Sequence, residues 1–212
     1  MGKMAAAREE NHGRRRVLAA AQDVTTAVGL HGTTHRAVAA AAGVSVALIR
    51  YHFKTKAALL AAVAEAMAAR LEAALETDLR AVAAERARFD FAEVIYFVHL
   101  RAINADRSSS VYWLEVLMRS AIDGSYREFA RRWRDAHTKF VTALADVTGA
   151  RVGHAQVQAL LEFMAGQQLK DLTVPPSLPV MKRARDRIQS FCALLPASGE
   201  TTATGVLIAS VP

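Results

Sequence analysis

The chain has 212 residues, 52% of them hydrophobic, so it can bury a real core, which excludes disorder over most of its length. Its one cysteine, Cys192, excludes an intrachain disulfide and a cysteine-based zinc site. No apolar run reaches the ~18 residues of a membrane span, and the polar N-terminus lacks a signal peptide's apolar core, so a cytoplasmic protein off the membrane is expected. The net charge of +7 is concentrated in residues 1–56, with nine Lys/Arg against three acids, while the rest holds eighteen against seventeen. That distribution excludes a protein basic throughout and directs any polyanion to the first quarter of the chain.

Alanine-rich stretches with few prolines favour helix, since alanine loses no side-chain entropy there, and an all-α chain is expected. Residues 1–13 show no apolar stripe and read as a basic flexible arm that leads into Arg14–Arg16. From Arg14 to Val28, Val17, Leu18, Ala21, Val24 and Val28 share one helical face, and Gly29 ends that helix. Thr34 caps a short second helix with Val38, Ala39 and Ala42 inward; Gly43 stops it. Ser45 caps a third helix from Val46 to about Phe53, and Thr55 caps a long fourth from Lys56 to about Val82. Further helices are expected near 90–106, 109–122, 124–148, 153–173 and 179–195. The small, polar run after Pro196 predicts a disordered tail over 196–212.

Two short helices joined by so short a turn cross steeply, as in a helix-turn-helix. A DNA-reading motif needs a small residue where the helices touch (Ala39), a permissive turn (Gly43), and anchors beneath the third helix (Val44, Ile49, Phe53). Val46, Ala47, Leu48, Arg50, Tyr51 and His52 then remain as the face a major groove can meet.

The run from Gly29 to Leu60 resembles the DNA-binding segment of the TetR family. Its marks are the Ala42-Gly43-Val44-Ser45 turn, the Tyr51-His52-Phe53 helix end and the Lys56-x-x-Leu59-Leu60 opening. The resemblance covers residues 14–62, with Ala47 where the pattern usually has glycine and Arg50 where it usually has tyrosine. Position and resemblance together assign phosphates to Thr34, His35 and Lys56, at helix N-termini, and to Tyr51 and His52. Arg36 and Arg50 are the candidates for base edges, Arg50 suiting either a phosphate or guanine, and Val46, Ala47 and Leu48 suit thymine methyls.

One such head reads only a few base pairs, so a homodimer on a palindromic operator of double-stranded DNA is expected. The stripes of the last two helices, including Leu161, Met164, Gln168, Ile188 and Phe191, are read as the dimer interface. The family resemblance implies a four-helix bundle there. Between the head and these helices, Phe89, Phe91, Tyr96, Phe97, Tyr112, Trp113, Phe129, Trp133 and Phe140 interleave with His99, Asn104, Glu115 and His137. That mixture suits either core packing or an apolar ligand cavity with polar fixtures. The resemblance favours a cavity for an unknown small-molecule effector that releases DNA, and Tyr96, Phe97, Trp113 and Leu117 are taken as its lining.

The sequence thus predicts a helix-turn-helix DNA-binding domain over 14–58 and a larger helical ligand-binding and dimerisation domain over 59–195. The expected function is that of a ligand-responsive transcriptional repressor. No acid-base pair, nucleophile with its base or metal-ligating pattern stands at helical spacing, so no enzyme activity, cofactor or metal is expected.

Overall fold

The computed structural model describes residues 2–85, 88–105 and 107–195, the first ten by backbone alone. Among them the chain forms nine α-helices, one 3₁₀ turn (Gly124–Tyr126) and no strand. In chain order these are α1 (Gly2–Gly32), α2 (His35–Ala42), α3 (Val46–His52), α4 (Lys56–Ala84), α5 (Phe91–Ile103), α6 (Arg107–Ile122), α7 (Arg127–Thr148), α8 (His154–Leu172) and α9 (Leu178–Leu194). The tail expected over 196–212 lies outside the described residues. The segment read as a flexible arm is helical from Gly2 and runs straight into α1. Its alanines and glutamates are strong helix formers, and nothing before Arg14 stops the helix once begun.

Glycine is required at two points of the head. Gly29 interrupts α1 at φ 74° and ψ 178°, after which one more turn carries the chain to Gly32. Gly43 closes α2 in the left-handed region, at φ 62° and ψ 41°. Both positions are strained for any residue with a Cβ. Side chains cap the next three starts: Thr34 accepts from Ala37 N–H at 3.1 Å, Ser45 from Leu48 N–H at 3.2 Å and Thr55 from Ala58 N–H at 3.1 Å. Each such cap is worth about 1 kcal/mol, enough to fix the boundaries of helices as short as α2 and α3.

Two apolar clusters hold the chain together. The first joins α1–α3 to the start of α4 through Val17, Val38, Ile49, Phe53 and Leu59, and takes in Tyr112, Trp113 and Val116 of α6. The second gathers Leu75, Val94, Phe140, Leu144, Leu160 and Ile188 from α4, α5, α7, α8 and α9. Because α4 feeds both clusters, and its Leu71 packs on each, the head is carried on the same helix that roofs the larger domain. Arg132 of α7 clamps that helix from outside, donating to Glu72 at 2.9 Å and to Glu65 at 2.5 Å.

Tyr112 is an anomaly in the first cluster. Its ring is buried, its hydroxyl meets no hydrogen-bond partner among the described residues, and burial raises its pKa above the ordinary value. An unsatisfied buried hydroxyl costs its desolvation. Tyr112→Phe should therefore stabilise the fold by about 1 kcal/mol, read as a higher urea midpoint at unchanged slope; a lower midpoint would mean that the hydroxyl is satisfied in solution.

Candidate functional site

The head presents a polar, accessible ridge. Ile49 and Phe53 face inward and are buried, and this rotation of α3 turns Ala47, Arg50 and Tyr51 outward, Tyr51 with 66% of its surface exposed. Val46, Leu48 and His52 lie half-buried along its edges. Tyr51 and His52 meet edge to face, with ring centroids 5.1 Å apart. Arg36 is exposed on α2, so the two residues read as base-contacting, Arg36 and Arg50, stand on the accessible side of the motif.

Three of the basic residues are partly engaged within the protein. Arg16 donates to the Ala42 carbonyl at 2.8 Å, completing the α2 C-terminus, and the Arg14 guanidinium lies 5.3 Å from the centre of the Phe53 ring. Lys56 donates to the His31 carbonyl at 2.7 Å, which ties the start of α4 to the end of α1 and leaves two of its three N–H groups. Thr34 is exposed with its oxygen engaged as the α2 cap. His35 buries its Nε2 without a partner among the described residues, so an outward contact falls to the rest of its ring and its backbone N–H.

Where α1 breaks, the larger domain reaches into the head. The Leu30 N–H, released from the helix by the Gly29 geometry, donates to Glu115 Oε2 of α6 at 2.9 Å. The Thr33 hydroxyl, fully buried, stands 2.8 Å from the Gly29 carbonyl and 3.0 Å from the Thr25 hydroxyl, which itself donates to the Ala21 carbonyl. Glu115, expected in a ligand cavity, faces the Gly29 turn instead. Its identity gave no sign of this, since its partner is 85 residues away.

Two residues before Glu115, Trp113 lines an open-sided cavity of about 130 Å³ bounded by α4–α8. Aromatic and aliphatic walls come from Trp113, Trp133, Phe140, Leu71 and Leu160, and polar fixtures from His99, His137, Arg70, Arg101, Ser109 and Gln168. Of the expected lining residues, the structure brings Trp113 to the cavity but not Tyr96, Phe97 or Leu117. Phe97 is 53% exposed, and Tyr96 lies beneath Arg185 of α9, 5.8 Å from its guanidinium. The reason is rotation: α5 turns Val98, His99 and Ala102 inward, which sends Tyr96 and Phe97 to other sides. Asn104, another candidate fixture, donates to the Leu100 carbonyl of its own helix.

The two histidines are held differently. His99 Nε2 lies 2.9 Å from Asp171 Oδ2, which also receives Gln167 Nε2 at 2.6 Å, while Arg187 donates to Gln167 Oε1 at 3.0 Å. Burial lowers the His99 pKa, opposed by its bond to Asp171. His137 Nδ1 stands 2.9 Å from the Trp133 carbonyl, and since a carbonyl can only accept, Nδ1 carries the proton. Burial drives the His137 pKa down to about 4, so the ring is neutral near pH 7 and Nε2 is a lone-pair acceptor.

Of the residues read as the dimer interface, Ile188 is buried within the subunit and Leu161, Met164, Gln168 and Phe191 are half-buried. Leu161, Met164 and Gln168 line the cavity, Ile188 is wholly buried in the second cluster, and Phe191 stacks on Phe163 of the same chain with centroids 4.2 Å apart. The apolar stripes of α8 and α9 pack in part on the second cluster, with Leu161, Phe163, Met164 and Phe191 left half-buried. What α8 turns outward is a different row, Ala155, Ala159, Glu162, Gly166 and Leu169.

Residues 17–63 match the family model described as bacterial regulatory proteins, tetR family. A transcriptional regulator from Rhodococcus sp. Rha1 has a similar structure at 21% identity and a TM-score of 0.68, over 86% of this chain and 95% of its own. A member of the TetR family from Streptomyces coelicolor A3 is similar at 26% identity and 0.61, over 87% and 98%. The multidrug binding protein EbrR complexed with ethidium is similar at 26% and 0.59, over 84% and 97%. No curated protein matches the chain in sequence. The helix-turn-helix thus matches the DNA-binding segment of the tetR family, and the fold along most of the chain is similar to that of these solved regulators.

Proposed function

We propose that the chain is a repressor that binds a palindromic operator as a homodimer and is released when a small molecule fills the cavity. One observation carries the reading: α6 lines the cavity with Trp113 and, one half-turn on, holds the head through Glu115. A ligand that displaces the first must strain the second, because packed cores shift between discrete arrangements rather than deform smoothly. EbrR, with ethidium in its structure, supports a cavity of this fold taking planar aromatic molecules.

In this reading Arg36 and Arg50 meet base edges. Thr34, His35, Tyr51, His52 and Lys56 hold phosphates, and Val46, Ala47 and Leu48 touch thymine methyls. The partner subunit docks on the outward row of α8, where Ala155, Ala159 and Gly166 let two helices approach closely. No helix of the described residues is long and apolar enough to cross a membrane.

Gel shifts against the DNA flanking the gene should find one duplex bound well above random sequence at physiological salt. On it Arg50→Ala should cost about 1–3 kcal/mol with the fold unchanged; equal binding of all duplexes would refute the repressor reading, and unchanged affinity would remove Arg50 from the interface. No described atom lies within 4 Å of a Cβ built at Gly166, so Gly166→Arg fits the isolated subunit. Light scattering should then show monomers where the parent is dimeric, whereas a persisting dimer would place the interface elsewhere. Finally, Glu115→Ala should speed hydrogen exchange at Leu30 by about tenfold or more, since the amide loses a charged acceptor. Unchanged protection there would dissociate α6 from the head.

A further inference from the structure

The chemistry of the cavity restricts what can fill it, and this step rests on the effector-site reading above. Among the described residues that line it there is no carboxylate. Two guanidiniums are present instead: Arg101, which pairs with Asp78 at 2.6 Å, and Arg70, which is exposed at the edge of the cavity and bonds to nothing among the described residues. Asp171 stands behind His99 and is occupied by that ring and by Gln167. A cationic guest would therefore lose its hydration with no countercharge offered and a guanidinium nearby, whereas an anion gains a charge-assisted donor. His137 adds a second selection. With Nδ1 committed to the Trp133 carbonyl, its free Nε2 accepts a hydrogen bond, which calls for a donor on the guest. The apolar part of the lining is indole, phenyl and aliphatic groups suited to a flat ring system.

We propose that the effector is a hydroxylated aromatic acid, its anionic group met by Arg70, its hydroxyl donating to His137 Nε2 and its ring held between Trp113, Trp133 and Phe140. This sets the chain apart from receptors of planar aromatic cations. It also makes the cavity sensitive to the two ends of the guest separately.

The chain's two tryptophans are Trp113 and Trp133, and both line the cavity, so tryptophan quenching reports its occupancy directly. The full-length protein is titrated with 6-hydroxy-2-naphthoate, 2-naphthoate, 2-naphthol and ethidium, with calorimetry alongside for affinities. The hydroxynaphthoate should bind about tenfold tighter than 2-naphthol, the worth of one charge-assisted contact, and Arg70→Gln should erase that difference while leaving 2-naphthol alone. His137→Phe should erase the advantage of the hydroxynaphthoate over 2-naphthoate. Ethidium binding tighter than the hydroxynaphthoate, or an affinity for the anion unmoved by Arg70→Gln, would overturn the ligand class while the cavity stands. No quenching by any of the four would overturn the effector site itself, and the class with it.

Discussion

The bond between Glu115 and the Leu30 amide governs how the two parts of this molecule relate. A helix broken at Gly29 releases an amide that must find an acceptor or pay for its burial, and the acceptor supplied is a carboxylate from a helix of the other domain. Such a charge-assisted bond contributes roughly 1.5–3 kcal/mol, large beside the few kcal/mol that separate the conformations of a regulatory protein. The Gly29 geometry thus shapes the end of α1 and also opens a socket for α6. Thr33, pinned by the Gly29 carbonyl and Thr25 just before the α2 cap, carries the position of that socket into the reading motif.

Helices α4 and α6 both tie the head to the larger domain, but they do so differently. α4 is a continuous 29-residue rod, buried along one face and clamped by Arg132, so it joins the head stiffly to the larger domain. α6 is shorter and keeps Met118 and Ile122 in solvent, at 70% and 82% exposure. It grips the head by one carboxylate and a few ring contacts. The orientation of α3 is accordingly set by α4 and biased by α6.

How much of this could be read from the residues depended on the range of the interaction. Gly29, Gly43 and the caps at Thr34, Ser45 and Thr55 act on neighbours within five residues, and each announces its geometry locally. The inward roles of Ile49 and Phe53 followed from what a helix-turn-helix requires beneath its third helix. Periodicity alone does not name a neighbour. The stripe holding Leu161, Met164 and Gln168 shows that α8 has an apolar face, but an intrachain cavity and a partner subunit leave the same pattern in sequence. Glu115 and Trp113 were also indistinguishable as a pair, two residues apart on one helix and serving opposite faces. Arg70 and Asp171 escaped notice because a charged residue on an amphipathic helix reads as solvated until its distant neighbours are known.

The cavity wall is unequally held, and that inequality gives a ligand its direction of effect. On the side of α5, α8 and α9, His99, Asp171, Gln167 and Arg187 form a buried network in which each group satisfies another, and parting any one of them leaves a polar group unpaired. On the side of α6, the hold is Trp113 against the walls, Ser110 Oγ donating to the Ala102 carbonyl at 2.9 Å, and Arg107 at the helix start donating to the Leu172 carbonyl. In the function proposed here, a guest that needs more room moves that side. The displaced wall is the one that carries Glu115, so admitting a ligand in this way also loosens the head's grip on its register.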